Sequence, residues 1–136
     1  MRSLSQFDMV REFSEATGGS PPFELNSQFD DMKIGLIQEE YDEFFEALKN
    51  EVFQDTLTEQ LTPEQAKENV LKELVDMVYV ILGYALYRGW DFDSAFRRVH
   101  QSNMSKIPED GVIRRRDDGK ILKPNTYKPT NLGDLV

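Results

Sequence analysis

Five carboxylates stand out by type and spacing. Glu39, Glu40 and Glu43 lie in the stretch IGLIQEEYDEFFEAL, and Glu73 and Asp76 lie in VLKELVDMVYVILGYAL. Both stretches set acids among large apolar residues. Carboxylates gathered on apolar faces cannot all stay ionised without a cation, because desolvation and mutual repulsion are too costly. Glu40 and Glu43 are three apart, as are Glu73 and Asp76, so each pair falls on one face of a helix. If the two helices pack antiparallel, four oxygen ligands converge from two rigid supports. Hard oxygen ligands without His or Cys select Mg²⁺, Mn²⁺ or Ca²⁺. An oxygen-ligated ion that keeps some of its waters is suited to holding phosphates.

The supporting elements read as four helices over residues 3–17, 26–50, 62–88 and 92–105, a β-hairpin over 112–123 and a tail over 124–136. In the first, Leu4, Phe7, Met9, Val10 and Phe13 recur at helical spacing, with a stop at Gly18-Gly19 and a loop at Ser20-Pro21-Pro22. Phe7 and Phe13 read first as core packing and second as a wall for a nucleobase. Asn26 or Ser27 caps the second helix. Stepping about 100° per residue from Glu39 puts Glu40 inside the apolar arc and Glu43 on its border. Asp42 and Glu46 fall on the polar side and read as solvated charges.

A polar connection over 51–61 leads to Thr62-Pro63-Glu64-Gln65, a strong helix start with Thr as cap, Pro in the first turn and Gln65 closing a capping box. From Met77 onward this third helix is apolar on every side, which predicts burial of most of its surface. Gly89 ends it. Asp91 or Asp93 caps the fourth helix, whose inner stripe is Ala95, Phe96 and Val99, and Pro108 forbids easy continuation. Val112 and Ile113, an Asp118-Gly119 turn, then Ile121 and Leu122 predict the hairpin. The tail from Asn125 is rich in turn formers and reads as lying along the surface or a neighbouring subunit.

With 136 residues, no cysteine and 30% charged residues, the chain reads as one globular domain without disulfides, residues 1–136, which fits a reducing cytoplasm. No signal peptide is visible, and the longest uncharged run, residues 77–87, is shorter than the ~20 residues of a membrane span. The net charge is −9, unevenly spread: the first 94 residues hold 20 acids and 7 bases, the rest 5 and 9. The acidic body argues against nucleic acid as the main partner. The basic end suits a ligand that carries metal and phosphate together. His100, Asn103 and Lys106 recur every three residues along the end of the fourth helix, and Lys120 and Lys123 flank the second hairpin strand. Lysines supply charge to phosphate oxygens, and an Asn amide reads a base edge or a sugar hydroxyl. His100 reads as a general base or as an ordinary helix residue. Arg114, Arg115 and Arg116 alternate across a strand, so they cannot all face one ligand.

Glu39-Glu40-x-x-Glu43 followed by Glu73-x-x-Asp76 resembles the signature of the all-α, MazG-like nucleoside triphosphate pyrophosphohydrolases, the superfamily that includes phosphoribosyl-ATP pyrophosphohydrolase and dimeric dUTPases. The ending His100-Gln-Ser-Asn103-Met-Ser-Lys106, with Asp110-Gly111, Gly119-Lys120 and Lys123-Pro124, is similar to the short single-domain branch. The 29 residues between Glu43 and Glu73 form a long spacer. The resemblance implies an all-α four-helix bundle working as a homodimer or a dimer of dimers. It implies Mg²⁺-dependent cleavage between the α- and β-phosphates, with Mn²⁺ able to substitute. It implies Glu40, Glu43, Glu73 and Asp76 as metal ligands, Glu39 and Glu40 in catalysis, and Asn103 and Lys106 on the substrate. Deoxynucleotides, purine ones such as dGTP among them, are the expected substrates. Phosphoribosyl-ATP hydrolysis in histidine biosynthesis is the second expectation, and a non-catalytic nucleotide-binding or structural module is the third.

Overall fold

In the computed structural model, residues 3–18, 27–53 and 61–136 are described. Four helices form, α1 Gln6–Ala16, α2 Ser27–Val52, α3 Pro63–Arg88 and α4 Phe92–Met104, with a 3₁₀ turn at Gly133–Leu135. The chain divides into two compact units, Met1–Gly89 and Trp90–Val136. None of the described helices is long and apolar enough to cross a membrane.

Local chemistry sets the helix ends. Ser5 caps α1 by accepting from the Asp8 amide at 3.0 Å, and the Asp8 carboxylate accepts from the Ser5 amide at 3.0 Å. This capping box starts the helix three residues later than the apolar spacing predicts. The α3 start is as expected: Thr62 accepts from the Gln65 amide, the Gln65 side chain accepts from the Thr62 amide, and Pro63 fills the first turn. Gly89 ends α3 at φ 74°, a left-handed conformation that a Cβ disfavours. Of the two expected α4 caps, Asp91 serves, with its carboxylate accepting from the Ser94 amide at 3.1 Å. The expected loop Ser20-Pro21-Pro22, the cap at Asn26 and most of the polar connection lie outside the described residues.

In the first unit α2 and α3 run antiparallel. Near the start of α2, Asp30 accepts a 3.3 Å hydrogen bond from the Tyr84 hydroxyl. Ten residues further along α2, Glu40 meets Glu73 and Asp76, so the α3 partner number falls as the α2 number rises. That register brings Ala47 level with Ala66, both buried, and small side chains let helices approach closely. Helix α1 packs on α3. The buried apolar residues of this unit are Phe7, Val10, Ala47, Ala66, Leu82, Ala85, Leu86 and Tyr87.

Three expectations about packing are corrected. Helix α3 is not covered all round: Leu71, Leu74, Val75, Val78 and Ile81 form an exposed stripe at helical spacing, on the side away from Glu73. Phe96 and Val99 are not inner residues of α4; they are 65% and 40% exposed, and the buried residue there is Ser102. No hairpin strands form among the described residues. The segment has one isolated antiparallel bridge, Arg115 to Ile121, closed around the expected Asp118-Gly119 turn with Gly119 at φ 85°. Val112, Ile113, Ile121 and Leu122 are all exposed, so no apolar face is covered, and a two-stranded ribbon alone is marginal.

In the second unit the tail lies along α4. Ser102 Oγ donates to the Lys128 carbonyl at 2.7 Å, and Ser105 Oγ accepts from the Lys128 amide at 2.8 Å. Arg98 closes the tail with two bonds to the Asp134 carboxylate, at 2.5 and 2.9 Å. Arg98 holds the Asp134 carboxyl well below the usual carboxylate range, at about 2. The sign follows: this contact favours the folded tail above the ordinary carboxylate pKa and is lost as pH falls through about 2. Titration of the Asp134 carboxyl carbon by NMR is expected to give a midpoint near that value, and Arg98→Ala is expected to return it to the ordinary range.

Candidate metal centre

Glu40 and Glu73 each carry a buried carboxylate oxygen, Oε2, with no hydrogen-bond partner. One ligand oxygen from each of Glu40, Glu73 and Asp76 lies within 4.8 Å of the other two. Apolar flanks hold the acids in place: Glu40 is half-buried on α2, and Glu73 on α3 is 16% exposed. An unpartnered buried carboxylate oxygen is costly. Burial holds the Glu40 carboxyl above its ordinary range, and repulsion from Glu43, Asp76, Glu73 and Glu39 adds to this. A divalent ion bound by three hard oxygens relieves both the desolvation and the repulsion, so the donor set fits a cation of the Mg²⁺, Mn²⁺ or Ca²⁺ type.

Lys72 carries the positive charge nearest these acids that the described ion pairs contain. Its Nζ is 2.7 Å from Asp76 Oδ2 and 3.7 Å from Glu73 Oε1. Hydrogen bonding to Asp76 raises the Lys72 pKa, keeping it charged. It leaves both Oε2 atoms unpartnered, so it covers one side of the cluster only. Sequence reasoning passed over Lys72, although a Lys four residues before an Asp on a helix is itself a signal.

Glu39 and Glu43 are exposed beside the trio. Glu43 lines a hollow with Glu46, Ala47, Asn50, Asn69 and Glu73. Asp42 and Glu46 make surface contacts, Asp42 accepting from Gln38 at 2.9 Å and Glu46 from Lys49 at 3.0 Å. On the other side of the trio is a cleft of about 180 Å³ that includes Phe13, Lys33, Leu36 and Tyr79 among its walls. Phe7 is buried at 3% exposed, so it is core. Phe13 is exposed and meets Tyr79 edge-to-face at 5.9 Å.

The remaining expected site residues belong to the second unit. His100 is exposed. Asn103 Oδ1 accepts from Lys106 Nζ at 3.0 Å, and Lys123 Nζ lies 4.8 Å from the Tyr127 ring centroid. Lys120 donates its amide to Asp118. The three arginines are taken up locally: Arg114 pairs with Asp110 at 3.1 Å, Arg115 donates to the Gly119 carbonyl at 2.8 Å, and Arg116 pairs with Asp118.

Among the described residues, then, the chain is helical and sets unpartnered carboxylates on two antiparallel helices. The family model for phosphoribosyl-ATP pyrophosphohydrolase matches residues 10–103. The chain belongs to that family, within the MazG-like all-α nucleoside triphosphate pyrophosphatases. No curated protein sequence matches it.

Proposed function

We propose that this chain hydrolyses nucleoside triphosphates between the α- and β-phosphates, releasing a nucleoside monophosphate and pyrophosphate. The observation that carries the proposal is the pair of buried, unpartnered oxygens on Glu40 and Glu73, two acids of a trio on facing helices. Family membership supports pyrophosphate-bond hydrolysis as the reaction class. Glu40, Glu73 and Asp76, with Glu43 beside them, would hold Mg²⁺, or Mn²⁺ in its place. When bound, the ion supplies charge neutralisation for the phosphates and acidifies a water.

The side chains do the rest. Glu39, exposed at the edge of the trio, orients the attacking water and takes its proton. The water oxygen bonds to the α-phosphorus as the bond from that phosphorus to the bridging oxygen breaks, and pyrophosphate leaves with the bridging oxygen. Asn103, Lys106, Lys120, Lys123 and His100 contact the substrate in this reading. Deoxynucleoside triphosphates are the proposed substrates. Phosphoribosyl-ATP is a second reading, favoured by the family description itself. A second copy of the chain, as a dimer or dimer of dimers, covers the exposed stripe from Leu71 to Ile81, because monomers rarely leave such stripes open. The proposed site of action is the cytoplasm.

Hydrolysis in H₂¹⁸O with Mg²⁺ tests the bond cleaved. The label is expected in the monophosphate, with unlabelled pyrophosphate. Diphosphate and orthophosphate as products refute the proposal. A panel of dNTPs, NTPs and phosphoribosyl-ATP separates the two substrate readings. For the assembly, light scattering on Val75→Glu is expected to show a smaller particle than wild type.

A further inference from the structure

We infer that the cleft between α1, α2 and α3 holds the base of the nucleotide, and that Lys33 reads it as a base with a carbonyl-acceptor edge of the guanine type. The inference rests on the triphosphate reading and deepens it. The cleft neighbours the acid trio along both α2 and α3. Leu36 lies four residues before Glu40 on α2, and Val80 four after Asp76 on α3. Each is one helical turn away, about 6 Å along its axis. A nucleotide whose phosphates sit at the trio has this cleft within one helical turn of its nucleoside end.

Its walls suit a planar ring. Phe13 and Tyr79 meet edge-to-face at 5.9 Å, and both ring faces and edges are surfaces on which bases pack. The floor has been left open. A Cβ placed on Gly83 meets nothing within 4 Å, although α3 forms over this stretch and Ala favours a helix more than Gly does. The absent side chain leaves space rather than relieving a clash.

Lys33 gives the cleft a sign. It is half-buried in the wall and makes no ion pair or side-chain hydrogen bond among the described residues. In a chain with 25 acids and 16 bases, a lysine in a cleft without an acidic partner is available to a ligand. An ammonium only donates. Guanine presents two acceptors, O6 and N7, on one edge, whereas adenine opposes a donor N6 amino group to the same position. Lys33 lies seven residues from Glu40, two turns or about 10 Å along the same face, and lines the cleft itself. It therefore meets the base end.

The test uses the full chain with Mg²⁺, and dGTP and dATP as probes. Gly83→Leu is expected to fold, to keep its Mg²⁺-induced thermal shift, and to raise KM for dGTP at least about tenfold by filling the floor. Lys33→Met is expected to lower kcat/KM for dGTP by roughly ten- to a hundredfold and for dATP by less than about threefold. If both variants keep wild-type KM while Glu40→Gln is inactive, the base site is wrong and the hydrolase reading stands. If Lys33→Met lowers both substrates equally, it is no base reader. A change of particle mass in Gly83→Leu without a change in KM assigns the cleft to a second copy and refutes the inference. A wild-type protein that turns over no nucleoside triphosphate removes the hydrolase reading, and this inference with it.

Discussion

Replacing Glu40 or Glu73 with Gln is expected to lower pyrophosphate release by roughly 10²–10⁴-fold while the protein stays folded. Each substitution removes an anionic ligand from a trio whose oxygens lie within 4.8 Å, and an amide neither neutralises nor anchors a divalent ion as a carboxylate does. The folded state is not at risk, because the wild-type carboxylates are themselves uncomfortable. Both carry a buried oxygen with no partner, and burial, reinforced by neighbouring charges, resists ionisation of Glu40. Metal-free Glu40→Gln is therefore expected to be at least as stable as wild type, with a gain of up to about 1 kcal/mol, and to melt at or above its temperature. The double variant is expected to lose little more activity than either single one, since ligands of one ion act as a unit. Steady-state pyrophosphate release and circular-dichroism melts check these together. A Glu40→Gln protein with near wild-type turnover in Mg²⁺ sinks the assignment.

The parts of this fold legible in the sequence are those fixed locally. The Thr62-Pro63-Gln65 start and the Gly89 stop of α3 need only neighbouring residues. The acid trio was legible because helical angles put Glu40, Glu73 and Asp76 on inward faces, and burial there follows from the flanking apolar residues. The Ser5–Asp8 box was equally local but was masked by the apolar Leu4 before it. Phe7 and Phe13 show the limit. Six residues apart, they sit on different sides of α1, and only packing on α3 decides that Phe7 is core and Phe13 lines a cleft. The exposed stripe on α3 and the missing hairpin strands have a related cause. Apolar spacing says that a face wants cover and does not say what supplies it. Lys33 was within reach, seven residues before Glu40 on the same face, but its significance depends on having no acidic partner, which only the folded arrangement reveals.

Stability is expected to change the sign of its pH dependence when a divalent cation is added. In the metal-free protein the folded state holds the Glu40 proton more tightly than the unfolded chain does, because burial and the surrounding acids raise its pKa. A raised carboxyl pKa contributes stability below the ordinary carboxylate value, and that contribution is lost as pH rises through the folded value. Asp91, Asp110, Asp118 and Asp134 are shifted downward, so they are fully ionised above about pH 5 and contribute no slope there. Above the ordinary carboxylate range the metal-free melting temperature is therefore expected to fall as pH rises through the folded Glu40 value. With Mg²⁺ the ligands must be deprotonated to bind, so stability in the same window is expected to rise with pH. Free cation at a hundred times its Kd adds about 2.7 kcal/mol, or roughly 10 °C in a domain of this size. The Lys72 ammonium, 2.7 Å from Asp76, competes for the same oxygens, so Lys72→Met is expected to bind Mg²⁺ more tightly than wild type and to show a larger thermal shift at equal concentration. Glu40→Gln is expected to flatten the metal-free slope and to shrink the Mg²⁺ shift together. Melts at pH 5 and 7 in EDTA and in Mg²⁺ decide the matter: a metal-free slope unchanged by Glu40→Gln, or a Mg²⁺ shift equal in wild type and variant, places the cation elsewhere.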